Sequence, residues 1–361
     1  MAALAAVGCR EVPENSLSFD DVVYVEDNCP QVIELAGGDT LSIPVLGVND
    51  FAIEDSLLIV SNRDNSGRVT VLEMDGTVLG RFLRTGRGPG EIVDFPGVSF
   101  VHFSTAENGH LEATWSNYTG EVTVWDVTAS LQSGQSALVS RNLNLEDSPW
   151  LLDVLPLPDG ECLIVLAGSD RNSIKRCVLS LDGNTKVTSP LERLNKAIVK
   201  KDTQSGTGMV AGSGEMVAFT VPGFNHISGN YAYEPVRGLV IEAEKTRNTI
   251  NIFSPDGGYA RTVCTYGDSP DDISSIDGNT VDECMTMRPK AYQDFFTALH
   301  WNMKAKEKCI RIYSYEGQAL AEIPVPAGVS GYGFDPENGY LYLLDTDNEC
   351  LVRYSYFLSK I

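Results

Sequence analysis

Histidine is scarce in this 361-residue chain, and the four present (His102, His110, His226 and His300) are scattered. None lies in a His-Glu-x-x-His pattern, and no Cys-x-x-Cys joins any of the eight cysteines, so zinc hydrolases, zinc ribbons and thioredoxin-like redox centres have no motif to rest on. A Gly-x-Ser-x-Gly nucleophile elbow is missing as well. No run reaches the ~18 apolar residues of a spanning helix. Basic charge is short: 27 Lys and Arg stand against 49 Asp and Glu, a net charge of −22, which repels nucleic acid and anionic lipid headgroups. Helical stripes are few too. The stretch from Asp282 to Met303 has none, and Pro289 would interrupt one.

What the chain has is internal repetition. Val69-Thr-Val-Leu-Glu-Met-Asp75-Gly76, followed by Gly86-Arg-Gly-Pro89-Gly-Glu91-Ile92, returns 181 residues later as Ile250-Asn-Ile-Phe-Ser-Pro-Asp256-Gly257 and Gly267-Asp-Ser-Pro270-Asp-Asp272-Ile273. An alternating apolar stretch is a strand, Asp-Gly a hairpin turn, and the Gly/Pro segment a crossing to the next unit. Weaker copies of the strand begin at Val122, Cys177, Ile310 and Leu351, and Asn62-Arg-Asp64-Asn65 recurs as Asp345-Thr-Asp347-Asn348. Six units at intervals of ~40 to 70 residues fit the four short strands of a propeller blade. The last unit is too short to supply its outer strand, so the segment around Val22 to Ile43 is expected to complete it. The expected fold is therefore an all-β, six-bladed β-propeller closed by pairing of its N- and C-terminal segments, with residues 1–16 a tether and 17–361 a single domain.

Gly86-Arg-Gly-Pro-Gly-Glu91 followed by Phe95-Pro96, behind an Asp-Gly hairpin, resembles the six-bladed, TolB-like and NHL-like propeller lipoproteins of bacteria. The resemblance implies the fold and export, and carries no catalytic residues across. The start of the chain agrees with export: Ala6-Val7-Gly8-Cys9 resembles the end of a lipoprotein signal, so Cys9 is expected to carry a lipid that is the only attachment to a membrane. The expected location is extracytoplasmic, periplasmic or at the cell surface. With Cys9 set aside seven cysteines remain, and they are expected to be mostly free, buried thiols.

Candidate binding residues follow from the blade geometry. Turns between second and third strands share a face with the crossings between blades, which would bring Arg87, Glu91, Tyr118, Arg171, Tyr231, Tyr233, Arg237 and Trp301 to one mouth of the channel. The aromatic segment from Pro222 to Asn248 departs most from the repeat, at the place where a blade should pass from its second to its third strand. Tyr231 and Tyr233 have the same parity and could form a platform for an envelope protein, peptide or glycan, since aromatic rings offer large apolar faces at small entropic cost. The leading reading is a non-enzymatic, monomeric binding module without a cofactor. The alternative is a propeller enzyme, a lyase or lactonase-like hydrolase, holding Ca²⁺ through Asn62, Asp64, Asp345 and Asp347, oxygen donors of the type that ion prefers.

Overall fold

The six repeated segments are the third strands of six antiparallel blades. The computed structural model describes residues 12–356 apart from 26–28, 46, 64–66, 89, 94, 118, 144–149, 168–173, 181–182, 198–202, 210–215, 223–228, 246 and 275–283, with 203–209 and 216–222 as backbone alone. Val69–Glu73, Glu121–Asp126, Ile174–Leu179, Thr249–Phe253, Glu307–Tyr313 and Cys350–Ser355 each hold the third place in their sheet. A blade lies between two others, so both faces of its central strands are covered and the strand reads as nearly continuous apolar sequence. Val69, Val71, Leu72, Ile250, Ile252 and Phe253 are accordingly all fully buried, and each such side chain stabilises the fold by about 1.5–3 kcal/mol. The Asp-Gly landmarks close third-to-fourth-strand hairpins. Gly76 and Gly257 sit at φ 94° and 96°, a backbone conformation that a Cβ makes costly, and donate their N–H groups to Glu73 and Ser254 carbonyls at 2.9 and 3.0 Å.

First-to-second and third-to-fourth-strand turns gather on one face of the ring, the turn face. Second-to-third turns and the crossings between blades lie on the other, the crossing face. Two short helices fit between strands. The first, α1 (Val127–Ser133), is capped by Asp126, which accepts the Ala129 N–H; the second, α2 (Ser189–Asn195), follows blade 3 and buries Leu191 and Leu194.

Ring closure is as expected, and the N-terminal chain does more than complete one blade. Asp39–Leu41 pairs antiparallel with Cys350–Ser355 as the outer strand of blade 6. Before that, Val22–Tyr24 adds a parallel strand outside Ala260–Cys264 of blade 4, and Gln31 and Ile33 exchange backbone hydrogen bonds with Glu322 on the outer strand of blade 5 at 2.9 and 2.8 Å. The chain thus runs as a belt past the outer edges of blades 4, 5 and 6 in turn, covering strand edges that would otherwise pair with other molecules. Its start is anchored as well: Phe19 packs edge-on to Phe253 with centroids 5.9 Å apart, and the Ile273 N–H donates to the Asn15 carbonyl at 3.0 Å. Asn15 and Ser16 thus already contact the ring. Cys9 lies outside the described residues. The seven other cysteines are free thiols, of which Cys162, Cys177 and Cys264 are buried and the rest partly buried.

One expectation is corrected. The extra chain in the fourth unit is a hairpin, Thr203–Met209 with Met216–Pro222, that precedes blade 4. Residues 229–244 are that blade's regular first strand, Gly229–Glu234, its turn, and its second strand, Leu239–Glu244. Gly229-Asn-Tyr-Ala-Tyr-Glu234 does not read as a strand of the core because first strands line the channel, where polar side chains find partners.

Candidate functional site

The axis of the ring is held by a polar network from the first strands. Blade 6 presents Gly331 there, and Arg288 of blade 5 crosses over it; a Cβ at that position would lie 3.0 Å from the guanidinium. Arg288 thereby reaches Asp50 of blade 1 at 3.1 Å. The second Asp50 oxygen accepts the Ser99 N–H at 2.7 Å, and the Ser99 hydroxyl as well, from the crossing into blade 2. The Arg288 carbonyl accepts the Tyr332 hydroxyl at 2.7 Å, and its N–H is directed at Asn230 of blade 4. A bulge between Met287 and Lys290 turns Arg288 into position at φ 54°, a conformation that a long side chain adopts only where its surroundings enforce it. His102 of blade 2 meets Asp153 of blade 3 at 2.8 Å.

Toward the turn face the channel opens into a cavity of about 1220 Å³ to which all six blades contribute. Small-molecule pockets run to about 300–1,000 Å³, so this one has room for an extended ligand. Tyr292, Tyr332 and Phe334 form part of its wall, together with Glu54 and Lys290. Burial pushes the Glu54 carboxyl up to about 7, against the opposing field of Lys290. Burial also lowers the Lys290 ammonium, with Glu54 and Asp50 opposing. Lys290 lies 5.9 Å from the Tyr332 ring centroid.

Behind this wall, blades 3 and 4 share a fully buried charged cluster. Arg176 donates from Nε to Glu242 at 2.7 Å and from a terminal nitrogen to Glu244 at 3.1 Å, and the Tyr231 hydroxyl donates to the same Glu242 oxygen. Burial pushes the Glu244 carboxyl well above the usual range, adjacent Glu242 adds to this and Arg176 opposes it. Among the described residues, one Arg176 nitrogen and one oxygen of each glutamate have no hydrogen-bond partner. Such groups are costly to bury.

The structure divides the sequence candidates between the two faces. Arg87, Glu91 and Trp301 are at the crossing face, but each is occupied locally or set apart. Glu91 accepts the Gly88 N–H at 2.7 Å within its own loop, Arg87 is exposed, and Trp301 is covered by the Lys308 ammonium, 4.7 Å from its ring. A smaller cavity of about 460 Å³, lined by Asn302, Arg311 and Glu322, lies at this face. Tyr118 and Arg171 fall outside the described residues, as does Asp64. Arg237 belongs to the turn face, in the first-to-second-strand turn of blade 4, stacked 4.7 Å from the Tyr315 ring centroid. Tyr231 is correspondingly no loop residue but a buried member of the first strand; Tyr233 shares that strand and, like it, contributes to the cavity wall. Asn62 is buried and donates to Thr70 at 3.2 Å. Asp345 accepts hydrogen bonds from the backbone of Asp347 and Asn348 and from the Asn348 side chain, the usual work of aspartate in a turn. Among the described residues no three His, Cys, Asp or Glu side chains form a metal-binding group.

Sequence reasoning missed Asp50, Glu54, Arg288 and Lys290. A signal was present in Arg288-Pro289-Lys290, two cations either side of a proline that breaks a strand ladder, and in Gly331-x-Gly333, which removes side chains from a first strand.

Comparison with known proteins bears on the fold alone. No protein-family model and no curated protein sequence matches the chain. A member of the duf4221 family from Bacteroides vulgatus is similar in structure, with a TM-score of 0.54 and 10% identity over 92% of this chain and 99% of that one. A calcium-binding protein, regucalcin, from Agrobacterium tumefaciens gives 0.45 at 11% identity over 92% and 97%. The class that fold and topology define is the six-bladed β-propeller.

Proposed function

We propose that this protein is a non-enzymatic binding propeller of the bacterial cell envelope, related to the TolB-like and NHL-like lipoproteins, which takes a peptide, a glycan or a segment of an envelope protein into the cavity at its turn face. The observation that carries the reading is the cavity itself, about 1220 Å³ at the axis with walls from every blade, because a ligand there touches the whole ring and the network behind it fixes the wall rigidly. Aromatic rings supply contact area and the charged groups supply orientation. A lipid on Cys9 would hold the domain at a membrane.

The test is a saturation-transfer NMR screen of short oligosaccharides and tetrapeptides against the wild type and Ser104→Trp, which places an indole in the cavity wall. Binders are expected from the screen, and the indole should weaken them about tenfold or more, a loss of about 1.4 kcal/mol or more, at an unchanged melting temperature. Binders unaffected by the indole would place the site elsewhere.

A further inference from the structure

The cavity is polarised. Eight carboxyl groups line it, six of them at or next to the turns of four blades: Asp55 of blade 1, Glu107 of blade 2, Asp159 and Glu161 of blade 3, and Asp335 and Glu337 of blade 6, with Glu54 and Glu112 on strands of blades 1 and 2. Lys290, on the first strand of blade 5, reaches inward far enough to feel Asp50 and Arg288 of the axial network, and Arg141 of blade 2 is a further cation of the lining. No carboxylate lies within 4 Å of the Lys290 ammonium among the described residues, in contrast to Arg288 two positions earlier, which is paired with Asp50. The cavity therefore offers a cation at depth and anions at its mouth.

We infer that the ligand is a peptide inserted C-terminus first, with its terminal carboxylate on Lys290 and basic side chains among the mouth carboxylates, an inference that rests on the cavity being the binding site. The charge pattern matches such a ligand at both ends, and the opposite orientation would bring like charges together at both ends. Tyr332 lies 5.9 Å from Lys290, and Tyr292, partly exposed in the same cavity wall, suits an apolar last residue. Burial pushes the carboxyl of Glu54, the group whose charge acts most strongly on Lys290, up to about 7, so it offsets the lysine charge less than an ordinary carboxylate would. An arriving carboxylate restores what burial removes from the ammonium. The volume accommodates several residues, beyond what a single metabolite fills.

The probe is acetyl-Arg-Lys-Ala-Phe, as the free acid and as the C-terminal amide, titrated calorimetrically into the intact protein. The acid should bind about tenfold or more tighter than the amide. Lys290→Met should bind both forms equally, Lys290→Arg should keep the preference for the acid, and both variants should melt with the wild type. Affinity for the acid should fall as salt rises from about 50 to about 500 mM. Equal binding of acid and amide to the wild type, or binding of neither, overturns the inference. In the second case the oligosaccharides and other peptides of the screen, with Ser104→Trp, still decide separately whether the cavity is a binding site.

Discussion

At the scale of single residues, the most consequential feature is a carboxyl kept in a place where ionisation is costly. Glu244 is fully buried against Glu242, and burial raises its pKa in the folded state. In the unfolded chain it titrates at about 4.3. Below that value both states hold the proton and its contribution to stability is complete. As pH rises through the folded value that contribution is lost, because the unfolded state releases a proton that the folded state retains. Glu244→Gln cannot ionise, so it should raise the urea midpoint at pH 8 relative to the wild type and leave it nearly unchanged at pH 4. Equal shifts at the two pH values would show that the carboxyl does not titrate abnormally. Arg176 and Glu242, which hold one another at 2.7 Å, are a different case: removing either leaves an uncompensated buried charge.

At the scale of elements, legibility followed burial. Third strands are enclosed between blades, so they carry closely spaced apolar residues, and in five of the six blades a turn or short helix to the outer strand follows; the repeats beginning at Val69, Val122, Cys177, Ile250, Ile310 and Leu351 mark all six. First strands are bound by another constraint, the channel, where Asp50, Arg288 and Asn230 satisfy one another across blades and leave no periodic pattern. That is why Tyr231 reads as a loop aromatic in the sequence and is a buried strand residue in the fold, and why the cavity wall was not legible. Partners that meet at the axis are separated by up to 238 positions, as Asp50 and Arg288 are, and no local pattern records such a pair.

The belt is the element with the clearest test. It supplies the outer strand of blade 6 and covers the edges of blades 4 and 5, so its loss would expose three strand edges together with Phe253 under Phe19. Deleting residues 12–45 should therefore abolish the single cooperative unfolding transition and give aggregates in size-exclusion chromatography. A truncated protein that remains monomeric and melts like the full chain would contradict the role given to the belt.

At the scale of the whole molecule, the six blades make a rigid frame in which the charge is unevenly placed. A net charge of −22 speaks first to solubility and to the partners that are repelled, but eight of the carboxyl groups line one cavity, with Lys290 within it. The frame is readable from repeats in the sequence; the cavity depends on turns that converge only when the ring closes. The most direct measurement is a crystal structure of the protein with the tightest binder from the peptide and oligosaccharide screen. Difference density inside the turn-face cavity, in contact with Lys290 and walls from several blades, is the predicted result; density at the crossing face beside Arg87 or Trp301, with the cavity containing solvent only, would contradict it.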